Sequence, residues 1–481
     1  MNITKDDSIY VFFLSLGILF GYFYRNIKDA SLKKTLGTIF GVSIILVTSQ
    51  LHSLHVFLSF LICCGIIKYS TEKCHLICFG FMMTYLLFFR TISWFGLPNP
   101  PGHTNMIQMI LTMKIIGLAF EKNSALTKAH KIDKNIDNEL VLTVVENEIR
   151  DISVLNMFHY CFNYIGLLTG PYYTYKTFFE YFHYPFALNA DCWKITSEKL
   201  KWVPLYIALF LGCSYIWPLD YAMSDDFYQN RSWLYRLFYI WPSFFIFRMR
   251  IYSGIVLAEC ICTNAGFGAY PKELESKCGH GPSKLISSEF LENPKSCDYD
   301  FETIENIHIA GVEKCLTFRE AMKHWNRCVQ YWLAIYIYKR FPSKKYRIMA
   351  TMAVSAYWHG VHAGYYFCIL GPIIYLPLED LYTKVFNVDN TSTFRCHATK
   401  AMFWLLKFFA FSYLGIAFLL KDVDKIWFYY KSVYHFAYIF WPSFYLICLI
   451  LWKYQKRDMK KLTKETEVNL KEMQEVSKKI N

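Results

Sequence analysis

Two short runs put reactive residue types where the surrounding sequence is otherwise apolar. Tyr357-Trp358-His359-Gly360-Val361 sets a histidine between Met349-Ala350-Thr351-Met352-Ala353-Val354-Ser355-Ala356 and Tyr365-Tyr366-Phe367. About thirty residues earlier, Trp325-Asn326-Arg327-Cys328-Val329-Gln330-Tyr331-Trp332 sets a carboxamide in a second apolar run. At bilayer depth such groups are costly, and they face a cavity, another helix or a substrate. An imidazole kept from bulk water stays neutral, the state that accepts a proton. His359 and His362 stand three apart, which predicts one helical face beside a polar cavity. Asn326 and Gln330 stand four apart, which predicts two amides stacked one turn apart, next to a face of Trp325, Val329 and Trp332. Each has a structural alternative: helix packing for the imidazole, and for the amides an interhelical hydrogen bond worth about 1 kcal/mol. Glu259, Glu379 and Asp380 lie near apolar blocks, and either line such a cavity or sit at its mouth.

Missing motifs narrow the chemistry. The chain has no Gly-x-Ser-x-Gly elbow, no phosphate-cradling Gly-x-x-x-x-Gly-Lys loop and no His-Glu-x-x-His zinc helix. Gly266-Phe267-Gly268 lacks both a preceding strand and a third glycine. No covalent nucleophile is evident, which leaves direct transfer, with a base activating a substrate hydroxyl.

The elements that must position these residues are membrane helices. The 481 residues are 54% hydrophobic and 19% aromatic, with mean hydropathy +0.20. The apolar residues arrive in blocks at 9–24, 35–48, 54–67, 76–95, 107–120, 152–168, 202–217, 234–265, 325–338, 348–363, 366–381, 401–420 and 426–452. A span needs about 20 apolar residues, so several blocks are tilted, re-entrant or buried, and roughly 9–12 are true spans. The expected fold is all-α and polytopic. Its membrane domain covers residues 1–452, and a Lys-rich tail covers 453–481. The first ten residues carry two Asp and one Lys, with no small-residue cleavage site after block 9–24, which predicts a retained span.

The formal net charge of +13 is unevenly placed. Arg25, Lys28, Lys33 and Lys34 follow the first block; the connection 49–53 is uncharged; Lys68, Glu72 and Lys73 follow; 98–102 is uncharged; and 121–151 is charged. This alternation predicts an N-terminus outside the cytosol, with the charged loops and the C-terminus inside it. The basic excess reads as orientation and contact with anionic lipid heads, and no motif points to nucleic acid. Of the sixteen cysteines, Cys63, Cys64, Cys78, Cys161, Cys213 and Cys448 lie in apolar blocks and act as small hydrophobes. Cys278-Gly279-His280, Cys297, His308 and Cys315 lack regular zinc spacing, so no metal is expected. The polar stretches 122–151 and 270–317 read as a helical loop and a long connection carrying short surface helices, and no inverted repeat is visible. Lys478-Lys479-Ile480-Asn481 resembles a di-lysine retrieval signal, which would place the chain in the endoplasmic reticulum membrane with a cytosolic C-terminus.

A Trp-Asn pair followed by Trp-His-Gly in an apolar segment resembles the membrane-bound O-acyltransferase family, and within it the lysophosphatidylinositol acyltransferase branch. The similar stretches are Tyr85-Leu86-Leu87-Phe88-Phe89-Arg90, Leu168-Thr169-Gly170-Pro171-Tyr172-Tyr173 and Phe247-Arg248-Met249-Arg250. Further on come Ala265-Gly266-Phe267-Gly268-Ala269-Tyr270-Pro271, Tyr299-Asp300-Phe301-Glu302-Thr303-Ile304 and Ser355-Ala356-Tyr357-Trp358-His359-Gly360. The resemblance implies transfer of a long, polyunsaturated chain from acyl-CoA to the sn-2 hydroxyl of a lysophospholipid, lysophosphatidylinositol above all. It implies a buried catalytic chamber reached through membrane lipid, acyl-CoA as co-substrate, no other cofactor, and Asn326 and His359 as active-site residues. Gln330 and His362 are candidate substrate contacts. Arg248 and Arg250 either pair with a phosphate or anchor at the interface by snorkelling. Two other readings stay open: a different acceptor, such as a sterol, diacylglycerol or secreted protein, or a transporter with His359 as proton relay.

Overall fold

The computed structural model describes residues 5–70, 72–133, 141–386 and 393–480. They are mostly helical, and the one sheet among them is a short antiparallel pair, β1 (Tyr270–Pro271) with β2 (Tyr299–Asp300). Tyr270 lies opposite Asp300 and Pro271 opposite Tyr299, so two stretches singled out in the sequence pair with each other.

The first apolar blocks become α1 (Lys5–Tyr24), α2 (Ala30–Ser49), α3 (Ser53–Tyr69) and α4 (Cys74–Arg90). Asp29 starts α2 by accepting from the Leu32 amide at 2.6 Å. α5 (Gly102–Asp133) runs through the middle of these helices, and residues 107–120 are almost all buried. Its Lys114 is fully enclosed and donates to the carbonyls of Tyr160 (3.2 Å) and Ile165 (3.4 Å) and to the Tyr173 hydroxyl (2.9 Å). That contact explains block 152–168, which is no continuous helix. α6 (Val154–Phe162) ends at Asn163, and the chain beyond it is irregular but buried; Lys114 takes up the Tyr160 carbonyl in the last turn of α6 and the Ile165 carbonyl beyond it.

α7 (Val203–Ile216) packs along α8 (Trp233–Asn264). After the long connection come α9 (Phe318–Lys323), α10 (Arg327–Leu333), a π-helical continuation (Ala334–Tyr338) and α11 (Arg347–His359). α12 (Ala363–Leu370), α13 (Pro372–Val385), α14 (Thr393–Leu420) and α15 (Phe436–Ile480) follow. Two apolar cores form. One gathers around α5, α6 and the start of the chain; the other gathers around α13, α14 and α15. α8 belongs to both: residues 256–265 lie in the first and 239–255 in the second.

Among the described residues, four stretches are long and apolar enough to span by themselves: Asp7–Tyr24, Ala30–Tyr69, Phe394–Leu420 and Phe436–Glu467. Ala30–Tyr69 comprises two helices, α2 and α3. Other blocks are shorter or interrupted, as at Gly360, which ends α11, and at Gly371-Pro372, between α12 and α13. The composition changes at residue 453, but α15 continues through it. The side chains of Lys478, Lys479 and Ile480, and all of Asn481, lie outside the described residues.

Backbone approaches closely at Gly41, where α2 meets the end of α6. A Cβ there would stand 2.0 Å from the Phe162 carbonyl oxygen and 2.8 Å from the Tyr164 nitrogen, whereas one at Gly65 would meet nothing within 4 Å. Gly41→Ala should therefore destabilise the protein by at least about 1–3 kcal/mol, while Gly65→Ala should not. Thermal unfolding in detergent checks this, and equal melting temperatures would refute the packing assignment.

Candidate active site

α10 with its π-helical continuation and α11 form a helical hairpin. At 1.5 Å per residue, the legs 327–338 and 347–359 are about 18 and 20 Å long. The legs are of nearly equal length, and Asn326 and His359 stand at their ends away from the turn. Near the turn, α11 packs against Ala334–Tyr338, but it makes little close backbone contact with α10. The hairpin therefore opens toward the two candidate residues, both of which are half-buried.

Asn326 does not sit on a continuous helix. α9 stops at Lys323, and Asn326 adopts the left-handed conformation (φ 46°, ψ 46°) immediately before α10. The expected stacking of Asn326 on Gln330 is thus corrected, because the helix breaks between α9 and α10. After glycine, asparagine is among the residues that accept this conformation most readily. The backbone groups freed by the break find nearby partners. The Asn306 carbonyl accepts from the Arg327 amide (2.7 Å), and its Oδ1 accepts from the Cys328 amide (3.2 Å). The Gln330 side chain donates to the carbonyls of Met322 and Trp325, tying off the preceding turn. Arg327 bridges Glu302 and Glu305. Burial opposes charge on Glu305, but Lys199 and Arg327 outweigh it and hold that carboxyl below the usual carboxylate range. The Asn326 carboxamide makes no capping bond to α10.

Behind Asn306 stands Glu259, buried on α8. It accepts from the amides of Asn306 (2.7 Å) and Ile307 (3.0 Å) and from Lys199 Nζ (2.7 Å). Glu379 has a similar role, accepting from the Phe318 (2.6 Å) and Arg319 (2.9 Å) amides at the start of α9, while Asp380 pairs with Arg319 at 2.8 Å. These acidic groups hold backbone and two cations, Lys199 and Arg319.

His359 is the last residue of α11. Its ring lies among those of Trp358 (4.9 Å), Phe418 (5.6 Å) and Tyr365 (6.3 Å between centroids). Gly360 turns the chain, and a Cβ there would strike the Tyr365 ring at 2.5 Å. The Trp358 indole donates to the Met109 carbonyl (3.2 Å) and the Tyr357 hydroxyl to that of Met83 (3.0 Å). Arg90 donates to the carbonyls of Tyr357 (3.0 Å) and Trp358 (2.6 Å) and to Asn105 Oδ1 (2.9 Å). Because α11 ends here, His362 shares no helical face with His359. It precedes α12 and lies 3.5 Å from Asp422, which corrects the expected pair.

Arg248 is buried, donates to Glu313 (2.9 Å) and packs over the rings of Phe244, Phe245 and Phe408. Tyr252 donates to the same carboxylate at 2.7 Å. Arg250 reaches Asp7 at 2.7 Å, linking α8 to α1. Sequence reasoning passed over Arg90, Asn306 and Glu313. Only Arg90 carried a local signal, as a cation closing an apolar run. Among the described residues, no group of three or more His, Cys, Asp or Glu side chains could hold a metal ion.

Residues 97–420 match the model of the membrane-bound O-acyltransferase family. A Drosophila melanogaster protein named membrane-bound acylglycerophosphatidylinositol O-acyltransferase is 47% identical over 449 residues, covering 91% of each chain. Proteins of the same name from Xenopus laevis and Homo sapiens are 36% and 32% identical, over 90% of this chain and 91% of theirs. The chain belongs to the membrane-bound O-acyltransferase family and is a mostly helical, membrane-integral acyltransferase.

Proposed function

We propose that this enzyme transfers a long, polyunsaturated, arachidonoyl-like chain from acyl-CoA to the sn-2 hydroxyl of lysophosphatidylinositol. The observation that carries the reading is the near full-length similarity to relatives named for acylglycerophosphatidylinositol acylation. In this reading roughly 9–12 helices of residues 1–452 enclose a reaction chamber in the endoplasmic reticulum membrane, and the Lys-rich tail 453–481 is cytosolic.

His359 takes the proton of the sn-2 hydroxyl as that oxygen attacks the thioester carbonyl. The Asn326 side-chain NH2 holds the oxyanion that forms. Collapse of the intermediate breaks the carbon–sulfur bond, and the proton on His359 passes to the leaving CoA thiolate. The hairpin geometry supports this division of labour, since both groups stand at one open end. At the other end, the turn carries Lys339, Arg340, Lys344 and Lys345, all exposed, and Arg347, half-buried; no carboxylate lies among residues 339–347. Among the described residues, none of the five forms an ion pair to a carboxylate. This cationic tip suits the phosphates of the CoA nucleotide, with the pantetheine arm running along the opening between the legs.

Microsomes carrying the chain, offered labelled arachidonoyl-CoA and a panel of lysolipids, should acylate lysophosphatidylinositol best; no transfer to any lysolipid would reject the proposal. His359→Ala should abolish transfer with membrane integration intact. Asn326→Ala should raise the barrier by about 2–4 kcal/mol, as loss of an oxyanion donor does, and near-normal turnover in both variants would overturn the assigned roles. Lys344→Glu with Lys345→Glu should raise KM for acyl-CoA several-fold and leave that for an acyl-pantetheine thioester unchanged; equal change in both donors would exclude nucleotide binding at the tip.

A further inference from the structure

We propose that Arg90 is a positioning residue for acyl transfer: its guanidinium fixes the end of α11 and so sets the direction from which the His359 side chain departs. This rests on the reading of His359 as the base.

The last carbonyls of a helix have no partner within it. In α11 the final internal bond runs from the Gly360 amide to the Ala356 carbonyl at 3.1 Å, and the Tyr357 and Trp358 carbonyls come next. Arg90, from the far end of α4, takes both, with Nη1 on Tyr357 at 3.0 Å and Nη2 on Trp358 at 2.6 Å. Its Nε is held in turn by Asn105 of α5 at 2.9 Å. Adjacent carbonyls on a helix lie side by side along its end, and the guanidinium engages each with a separate nitrogen while keeping Nε for Asn105, so its plane is fixed in a way that a freely rotating ammonium is not. A cation at a helix C-terminus is also electrostatically favoured.

The bond to Trp358 bears most directly on His359. The Trp358 carbonyl and the His359 nitrogen belong to one rigid peptide unit. Holding that oxygen sets the plane from which the His359 Cα and Cβ project. The neighbouring rings have their own anchors, Trp358 on Met109 and Tyr357 on Met83, so neither depends on Arg90 for its place. What Arg90 adds is the orientation of the 358–359 peptide.

The test compares Arg90→Lys, which keeps the charge and loses the fork, with Asn105→Leu, which leaves Arg90 in place and removes its Nε anchor. With arachidonoyl-CoA and lysophosphatidylinositol, Arg90→Lys should lower kcat about 10–100-fold, as a small misplacement of a reacting group does. KM for both substrates should stay within about twofold, since all three guanidinium nitrogens are engaged within the protein. Asn105→Leu should lower kcat less, again without a change in KM. Hydrogen–deuterium exchange should rise in the peptide spanning 357–364 and nowhere else. A normal kcat in Arg90→Lys, a KM that rises as kcat falls, or unchanged exchange at 357–364 would overturn the assignment. If wild-type protein turned over no lysolipid, His359 would lose its role as base. The exchange measurement would still decide whether Arg90 holds the helix end.

Discussion

A backbone inside a bilayer has no water to bind, and each unsatisfied amide or carbonyl there costs several kcal/mol. This chain nevertheless breaks its helices repeatedly in buried positions, and polar side chains take up much of the freed backbone. Lys114 receives one carbonyl from the last turn of α6 and one beyond it, Asn306 and Gln330 serve the break around Asn326, and Glu379 serves the start of α9. Lys407 takes the carbonyls of Val312 (2.9 Å), Glu313 (3.2 Å) and Cys315 (2.7 Å), and Arg90 takes those at the end of α11. In a membrane protein, then, a buried charge is as readily the partner of irregular backbone as the mark of a ligand.

That rule also explains where the candidate site lies. Cys328 and Trp358 belong to the core around α5, whereas Trp325 packs against the core around α14. Phe418, which covers the His359 ring, lies on α14 between Ala417 and Leu420 of that second core. Asn326 and His359 therefore both stand on the seam between two cores. At the seam the helices stop, side chains replace the missing backbone partners, and polar groups are left half-buried.

How much of this the sequence carried depended on range. The apolar blocks announced α1, α3, α8 and α14 because a span is a local property of composition. His359 and Asn326 stood out because their types clash with their surroundings. The break before α10 was not legible: Asn326 needs a left-handed backbone there because Asn306 and Gln330 hold the chain on either side of it, and Asn306 lies in a loop that gave no local signal. His362 misled for a related reason, since three-residue spacing implies a shared face only if the helix continues, and the Gly360 turn under Tyr365 ends it. Arg248 and Arg250 were open to reading as phosphate partners or interfacial anchors, and not as ion pairs within the protein, because Glu313 and Asp7 are remote in sequence. The clearest missed signal was Arg90, a cation closing an apolar run, whose partners lie more than 260 residues away.

The hairpin also has an electrical sense that bears on the proposed reaction. α10 starts at Arg327, and the first amides of its partly positive end are already taken by the Asn306 carbonyl and Oδ1, so that end contributes little field in the opening where the oxyanion would develop. α11 finishes at His359, so its partly negative end reaches the same opening and, left alone, would oppose the oxyanion. Arg90 sits on the two carbonyls that carry this negative end. A neutral fork of donors would satisfy their hydrogen bonds, but only a cation also cancels the unfavourable field. The same contact that orients the 358–359 peptide thus makes the antiparallel hairpin compatible with negative charge at its open end, which explains why the group placed there is a guanidinium and not an amide.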